Sequence, residues 1–373
     1  MSPLSRRAVF PLLVGSLGLA CSGGPGCRGL GDGTSAAHRA LDAGVSWLLA
    51  QQAASGAFRS TTYGLLKGGE SLTPAVLLAL LDAEPITTLP LQPALRVGLS
   101  FLAKKTDARG AIGLSGSAPD YPVYATAMAV RAASRAGLRG ALPTFDRNVN
   151  WLAEQQLTAA RGWTDHPARG GWPMGGSRLP VPGQAGHVDL SMTRRALQAL
   201  AAAPSLEATA RADALGFVSS SQADDGGFVY SRPNPGLNKA GPSKGYGSAT
   251  CDGLLALAAL GVGDDDPPVK RGLRFLRKIH RTDRNPGLDG GPFAAFAVAM
   301  KGYYRAASAE VFARWGWPEG RAEGMVAAVL ADQKPGGFWQ SPDVLQKEDD
   351  PLISTAFALQ ALAGALSAAT HSR

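Results

Sequence analysis

Groups that carry most enzyme chemistry are scarce in this chain. Its 373 residues include five histidines and three cysteines, and charged residues make up 18%. Three cysteines supply no disulfide framework. Cys27 lies in a Gly-rich stretch, and a pairing with Cys251 is not expected. Aromatic residues are only 7%. No apolar run is long enough to span a bilayer; the longest, Ala8 to Ala20, is too short and is interrupted by glycine. No Gly-x-x-x-x-Gly-Lys-Ser/Thr loop occurs, and Gly170-Gly171 and Gly175-Gly176 follow no strand-like segment, so no phosphate cradle or cofactor is expected. No Gly-x-Ser-x-Gly elbow marks a hydrolase nucleophile. Strand-like alternation is also missing.

What is present is a 45% hydrophobic chain with a net charge of +8. The N-terminus reads as an export signal over residues 1–21. Ser5-Arg6-Arg7-Ala8-Val9-Phe10 resembles a twin-arginine signal, and Leu17-Gly18-Leu19-Ala20-Cys21 resembles a lipoprotein cleavage site. On that resemblance Cys21 carries a lipid that anchors the mature protein to a membrane. The expected address is periplasmic or cell-envelope. Residues 22–35 read as a flexible tether, and residues 36–373 as one repeat domain. The positive charges are scattered, and nucleic acid is not an expected partner of an exported protein. Nothing in the sequence fixes an oligomeric state.

One phrase recurs: an aromatic–aliphatic pair, then Gln, Gly and an aromatic residue. It reads Trp47-Leu48…Gln52…Gly56…Phe58, Phe217-Val218…Gln222…Gly226…Phe228 and Val329…Gln333…Gly337…Trp339. Phe101-Leu102, Trp151-Leu152 and Phe275-Leu276 open weaker copies. In the third unit the phrase reads Gln156…Gly162-Trp163, with two extra residues. In the second, Thr106, Gly110 and Ile112 hold the positions; in the fifth, His280 replaces Gln. A fixed repeat of helical segments signals a closed or solenoidal array. Each unit pairs an amphipathic helix with a more apolar one that is expected to be buried. Their starts fall at Thr73-Pro74, Tyr121-Pro122, Asp189, Ser248, Gly291-Pro292 and Asp350-Pro351. The expected fold is all-α: an (α/α)6 toroid of six outer/inner helix pairs around a central cavity.

The phrase resembles the Gln-Trp repeat of squalene and oxidosqualene cyclases. The layout resembles the terpenoid cyclase and protein prenyltransferase α/α-toroid superfamily. The resemblance implies that the phrase is scaffold and that chemistry belongs to the inner-helix starts. The cyclase acid motif Asp-x-Asp-Asp-Thr-Ala survives only as Tyr124-Ala125-Thr126-Ala127 and Ile353-Ser354-Thr355-Ala356, without the carboxylates. The zinc ligands of the prenyltransferases are not matched either: Cys251 and Asp252 are adjacent and point about 100° apart on a helix. His187, Asp189 and Cys251 remain as a weak metal trio, against a helix cap and a packed thiol. Asp189 and Asp252 are the candidate catalytic carboxylates.

Two long loops, 161–186 and 223–247, are expected at one mouth of the ring. Their residues Trp163, His166, Trp172, Met174, Tyr230, Arg232 and Tyr246, with Tyr124 and His187, are the ligand-binding candidates. The alternative is that these aromatics only pin the loops. Three functions stay open: a toroid that binds an apolar or glycan ligand in its cavity without cyclase or zinc chemistry; a divergent terpenoid- or glycan-acting enzyme; and a structural envelope protein.

Overall fold

The computed structural model describes residues 28–203, 206–290 and 292–371. The export signal, Cys21 and Cys27 lie outside the described residues. Thirteen α-helices and no strand occur among the described residues; only two isolated β-bridges, Pro173 with Val188 and Gln222 with Phe228, are formed. The outer helices are α1 (Arg28–Gln51), α3 (Gln92–Lys105), α5 (Phe145–Glu154), α7 (Ala208–Ser220), α9 (Pro267–Ile279) and α12 (Arg321–Ala331). The inner helices are α2 (Leu72–Ala83), α4 (Pro122–Arg135), α6 (Leu190–Ala202), α8 (Gly247–Ala259), α11 (Lys301–Trp315) and α13 (Pro351–His371). A short α10 (Phe296–Ala299) precedes α11.

The inner helices pack in the cyclic order α2, α4, α6, α8, α11, α13 and back to α2. The ring is therefore closed. Hydropathy explains the two layers. In α8 every residue from Gly247 to Leu257 is buried. In α9, Val269, Gly272, Leu273 and Leu276 are buried while Lys270, Arg271, Arg274 and Lys278 are exposed.

The repeated phrase ties each unit to the next. Gln52 Nε2 donates to Gly56 O in its own loop and to Ala94 O of α3, both at 3.0 Å. Gln222 reaches Gly226 O at 3.0 Å and Pro268 O at 2.9 Å. Gln333 reaches Gly337 O at 3.0 Å and Ala40 O of α1 at 2.9 Å, which joins the last unit to the first. In the second unit, which lacks the Gln, Asn148 on α5 supplies the bond to Gly110 O at 2.7 Å. The inner-helix threonines complete the clasp. The Oγ1 atoms of Thr73, Thr126, Thr193, Thr250 and Thr355 accept from the backbone N–H of Phe58, Ile112, Trp172, Phe228 and Trp339. Those threonines are scaffold, whatever a cyclase motif places beside them.

The third unit corrects the expected register. Gln156 binds Gly170 O at 3.2 Å and Ala210 O of α7 at 2.7 Å, so the motif is Gln156…Gly170…Trp172, not Gly162-Trp163. Backbone contact decides between the two glycines. Gly170 has φ 89°, and a Cβ there would lie 1.9 Å from Asp213 O, whereas one on Gly162 would meet only a proline ring. Residues 157–169 are an insertion, fastened by Asp213 to Ala159 N and to Arg169.

In the fifth unit the inner helix begins at Lys301, not near Gly291-Pro292. His280, in the place of the Gln, is buried and hydrogen-bonds the Tyr304 hydroxyl through Nδ1 at 2.7 Å. Burial, with Arg321 nearby, lowers its pKa to about 4. The folded state then binds fewer protons than the unfolded state between pH 6.5 and 4, so stability falls as pH drops through that window. The loss is expected to be on the order of 2–3 kcal/mol. Thermal unfolding of wild type and His280→Gln at pH 7 and pH 4.5 checks it. The variant should lose less on acidification; equal losses would exclude His280 as the cause.

Candidate functional site

A cavity of about 420 Å³ occupies the centre of the ring, at the N-terminal ends of the inner helices. All six inner helices line it. Its two sides differ in chemistry. Leu72, Ala75 and Leu78 of α2, Met128 of α4, and Ile353, Ala356 and Phe357 of α13 form a mainly apolar wall, bordered by Ser71, Gln346, Lys347, Glu348 and Gln360. Asp189, with Ser191 and Arg195 of α6, Ser248 and Asp252 of α8, Tyr303 of α11 and Tyr124 of α4 form a polar one. The loops contribute Met174, His187, Tyr230, Lys239 and Tyr246.

Asp189 caps α6, its Oδ1 accepting from Met192 N at 2.8 Å. Its Oδ2 accepts from the Tyr230 hydroxyl at 2.8 Å and lies 2.7 Å from His187 Nε2. Asp252 is fully interior. It accepts from Arg194 Nη1 at 2.9 Å and from the Tyr303 hydroxyl at 2.8 Å. Burial pushes the Asp252 pKa up, and Arg194 opposes that rise. A hydroxyl chain runs from Asp252 through Tyr303 and Ser191 to Tyr124. Burial raises all of the tyrosines here, Tyr124, Tyr230, Tyr246 and Tyr303, so they stay neutral donors.

Under the cavity lies a charged floor. Arg194 bridges Asp252 and Glu310, and Arg131 binds Glu310 at 2.8 Å and Gln198 at 2.9 Å. Burial works against the Glu310 charge, but Arg194 and Arg131 outweigh it and hold its pKa well below the usual range. The same two carboxylates overcome the burial cost of Arg194 and raise its pKa. At the rim, Tyr121 (φ 44°) and Lys347 (φ 61°) are the described non-glycine residues with left-handed backbone, and Lys347 Nζ sits 3.4 Å from the Tyr121 hydroxyl. Strain of this kind gathers at ligand sites. Lys239 lies over the Tyr230 and Phe296 rings, and burial lowers its pKa.

The structure brings Asp189, Asp252, His187, Tyr124, Tyr230 and Tyr246 to one cavity. It places four other candidates elsewhere. Trp172 is the motif aromatic of the third unit; its Nε1 donates to Leu152 O at 2.8 Å, as Trp339 Nε1 donates to Val329 O at 2.7 Å. Trp163 is buried edge-on to His166 in the 157–169 insertion, centroids 5.1 Å apart, and neither lines the cavity. Arg232 does not line it either. The trio His187, Asp189 and Cys251 does not assemble: among the described residues no three His, Cys, Asp or Glu side chains could hold a metal together. Asp252 faces the cavity, so Cys251, one helical step away, is turned into the core with no exposed surface.

Sequence reasoning missed Tyr303, Ser191, Arg194, Arg195, Glu310 and Lys239. The available signal was charge inside an otherwise apolar helix register: Arg131, Arg194, Arg195 and Glu310 all fall on inner helices.

With this geometry in place, the solved structures most like it can be compared. A variant of type II terpene cyclase MstE from Scytonema, in complex with geranylgeranyl dihydroxybenzoate, superposes with a TM-score of 0.58 at 15% identity, over 90% of this chain and 99% of that one. The fold is the terpene cyclase α/α toroid. Substrate-free MstE gives 0.55 at 16% identity, over 88% and 98% of the two chains. A protein from Actinoplanes gives 0.51 at 18%, over 88% and 99%. No family model and no curated protein matches the sequence. At these identities the shared toroid is a likeness of architecture.

Proposed function

We propose that this protein is an exported toroid that takes an amphipathic small molecule into its central cavity and does not perform polyene protonation or zinc chemistry. The observation that carries this reading is the division of one cavity of about 420 Å³ into an apolar wall on α2 and α13 and a polar wall on α6, α8 and α11. That volume lies within the ~300–1,000 Å³ usual for small-molecule sites. The ligand of MstE, a geranylgeranyl dihydroxybenzoate, has the same division into prenyl tail and polar head. Protonation of a polyene needs a carboxylic acid free to give up its proton. The three cavity carboxyl groups are instead engaged by donors: Asp252 by a guanidinium, Asp189 by a backbone N–H and a phenol, and Glu348, whose pKa burial raises to about 7, by the backbone N–H groups of Gly302 and Tyr303.

A second reading, a divergent enzyme, is favoured by one observation: the hydroxyl chain from Tyr124 to Asp252 could move a proton across the cavity wall. Native mass spectrometry of protein isolated from its own envelope separates the two. The binding reading expects a single non-covalent adduct whose released molecule has an apolar chain and is unchanged on re-incubation. A cyclised or shortened product would establish the enzyme. The intact mass in the same experiment reads the N-terminus: export through the proposed site leaves Cys21 first and acylated.

A further inference from the structure

The cavity holds one guanidinium that no carboxylate of the protein contacts. Arg195 lines it from the second turn of α6 and is 8% exposed. Its Nε–H is buried with no hydrogen-bond partner, and no described residue forms an ion pair with its guanidinium. Its neighbour Arg194 points the other way, into Asp252 and Glu310. Those carboxylates are already committed, Asp252 to Arg194 and Tyr303, Glu310 to Arg194, Arg131 and Gln198. The charge of Arg195 lowers the pKa of both from a distance, but it contacts neither. The floor therefore sets three guanidinium groups, Arg131, Arg194 and Arg195, against two carboxylates. A buried charge without a partner is costly, and folded proteins retain one where something else satisfies it.

We infer that the ligand is an amphipathic carboxylate whose headgroup sits on Arg195. This inference rests on the proposed cavity-binding function and names its ligand class. The flat edge of a guanidinium offers two parallel N–H donors that fit the two oxygens of a carboxylate. The guanidinium of Arg195, which no carboxylate of the protein contacts, calls for an anionic partner. The same ligand lays its chain on the apolar wall of Leu78, Met128 and Phe357, which faces the polar one across the cavity. Lys239 and Lys347 line the cavity nearer its rim, where their ammonium groups rest over aromatic rings and add further positive charge.

The test compares two probes of equal chain length, laurate and 1-dodecanol, by calorimetric titration of the full mature chain at pH 8. Wild type should bind laurate at least ~10-fold more tightly than dodecanol, the range of a charge-assisted hydrogen-bonded pair. Arg195→Met should abolish the preference while leaving dodecanol binding within about threefold. Arg195→Gln, which keeps a polar group of similar length, should lose it as well. Equal affinities in wild type, or a laurate preference that survives both substitutions, would overturn the assignment of Arg195 and leave the cavity reading standing. Binding of neither probe would overturn both. Melting temperature gives an independent reading. Removing an unpaired guanidinium should leave ligand-free Arg195→Met no less stable than wild type; a clear drop would show that Arg195 is paired within the fold.

Discussion

Replacement of Arg194 by methionine is expected to destabilise the protein by about 3–5 kcal/mol, the range for removing one partner from a buried ion pair. Arg194 is 1% exposed and holds Asp252, whose side chain is 2% exposed, on one side and Glu310 on the other. Glu310 keeps Arg131 and Gln198 when Arg194 is gone. Asp252 keeps only the Tyr303 hydroxyl and the distant charge of Arg195, so its carboxylate becomes the uncompensated charge. It should respond by taking up a proton. The folded-state pKa of Asp252, already raised by burial, then rises further above its unfolded value, and the destabilisation shrinks as pH falls toward that unfolded value. Thermal and denaturant unfolding at pH 8 and pH 5 measure both effects. The double variant Arg194→Met/Asp252→Leu should recover much of the loss, because it removes the stranded charge. A single variant within about 1 kcal/mol of wild type would show that the floor network does not hold the fold. Adjacent arginines on α6 thus have opposite expected outcomes, and the difference follows from which one the protein satisfies.

The toroid was legible because its clasp is local. Gln, Gly and the aromatic residue act within a few residues of one another, and the bonds of Gln52, Gln222 and Gln333 reproduce one geometry in three units. Legibility failed where local signals were ambiguous. In the third unit two glycine–aromatic pairs follow Gln156, and only the backbone of α7, packed against Gly170, selects the second. In the fifth, the inner helix is displaced to Lys301 by an excursion in which the Asn285 side chain bonds Ser248, at 3.0 Å to its N and 2.9 Å to its Oγ. That displacement hid Tyr303.

Much of the candidate site could not be read for a related reason. Asp189 and Asp252 stand at inner-helix starts and were visible there. Their partners are far away along the chain: Arg194 is 58 residues from Asp252 and 116 from Glu310. Only ring closure brings such side chains together. Trp163 and Trp172 misled because an aromatic residue in a long loop looks the same whether it faces a cavity or pins an insertion. The repeated phrase does not distinguish binding from catalysis; the inner-helix charges, which lie outside it, carry that information.

Filling the cavity is the second substitution with a large expected effect. Ala75 lies on α2 in the apolar wall, half-buried because its methyl group opens onto the cavity. A tryptophan there can project into empty space instead of into packed core, where overpacking would cost stability. It should leave the melting temperature near that of wild type and remove the volume in which an apolar chain would lie. The direct measurement is calorimetric titration of wild type and Ala75→Trp with 1-dodecanol, a probe that does not depend on the charge of Arg195. Wild type should bind one equivalent, and the folded variant should bind at least ~100-fold more weakly, about 3 kcal/mol. Unchanged binding in a folded Ala75→Trp, or no binding by wild type, would contradict a ligand held at the centre of the ring.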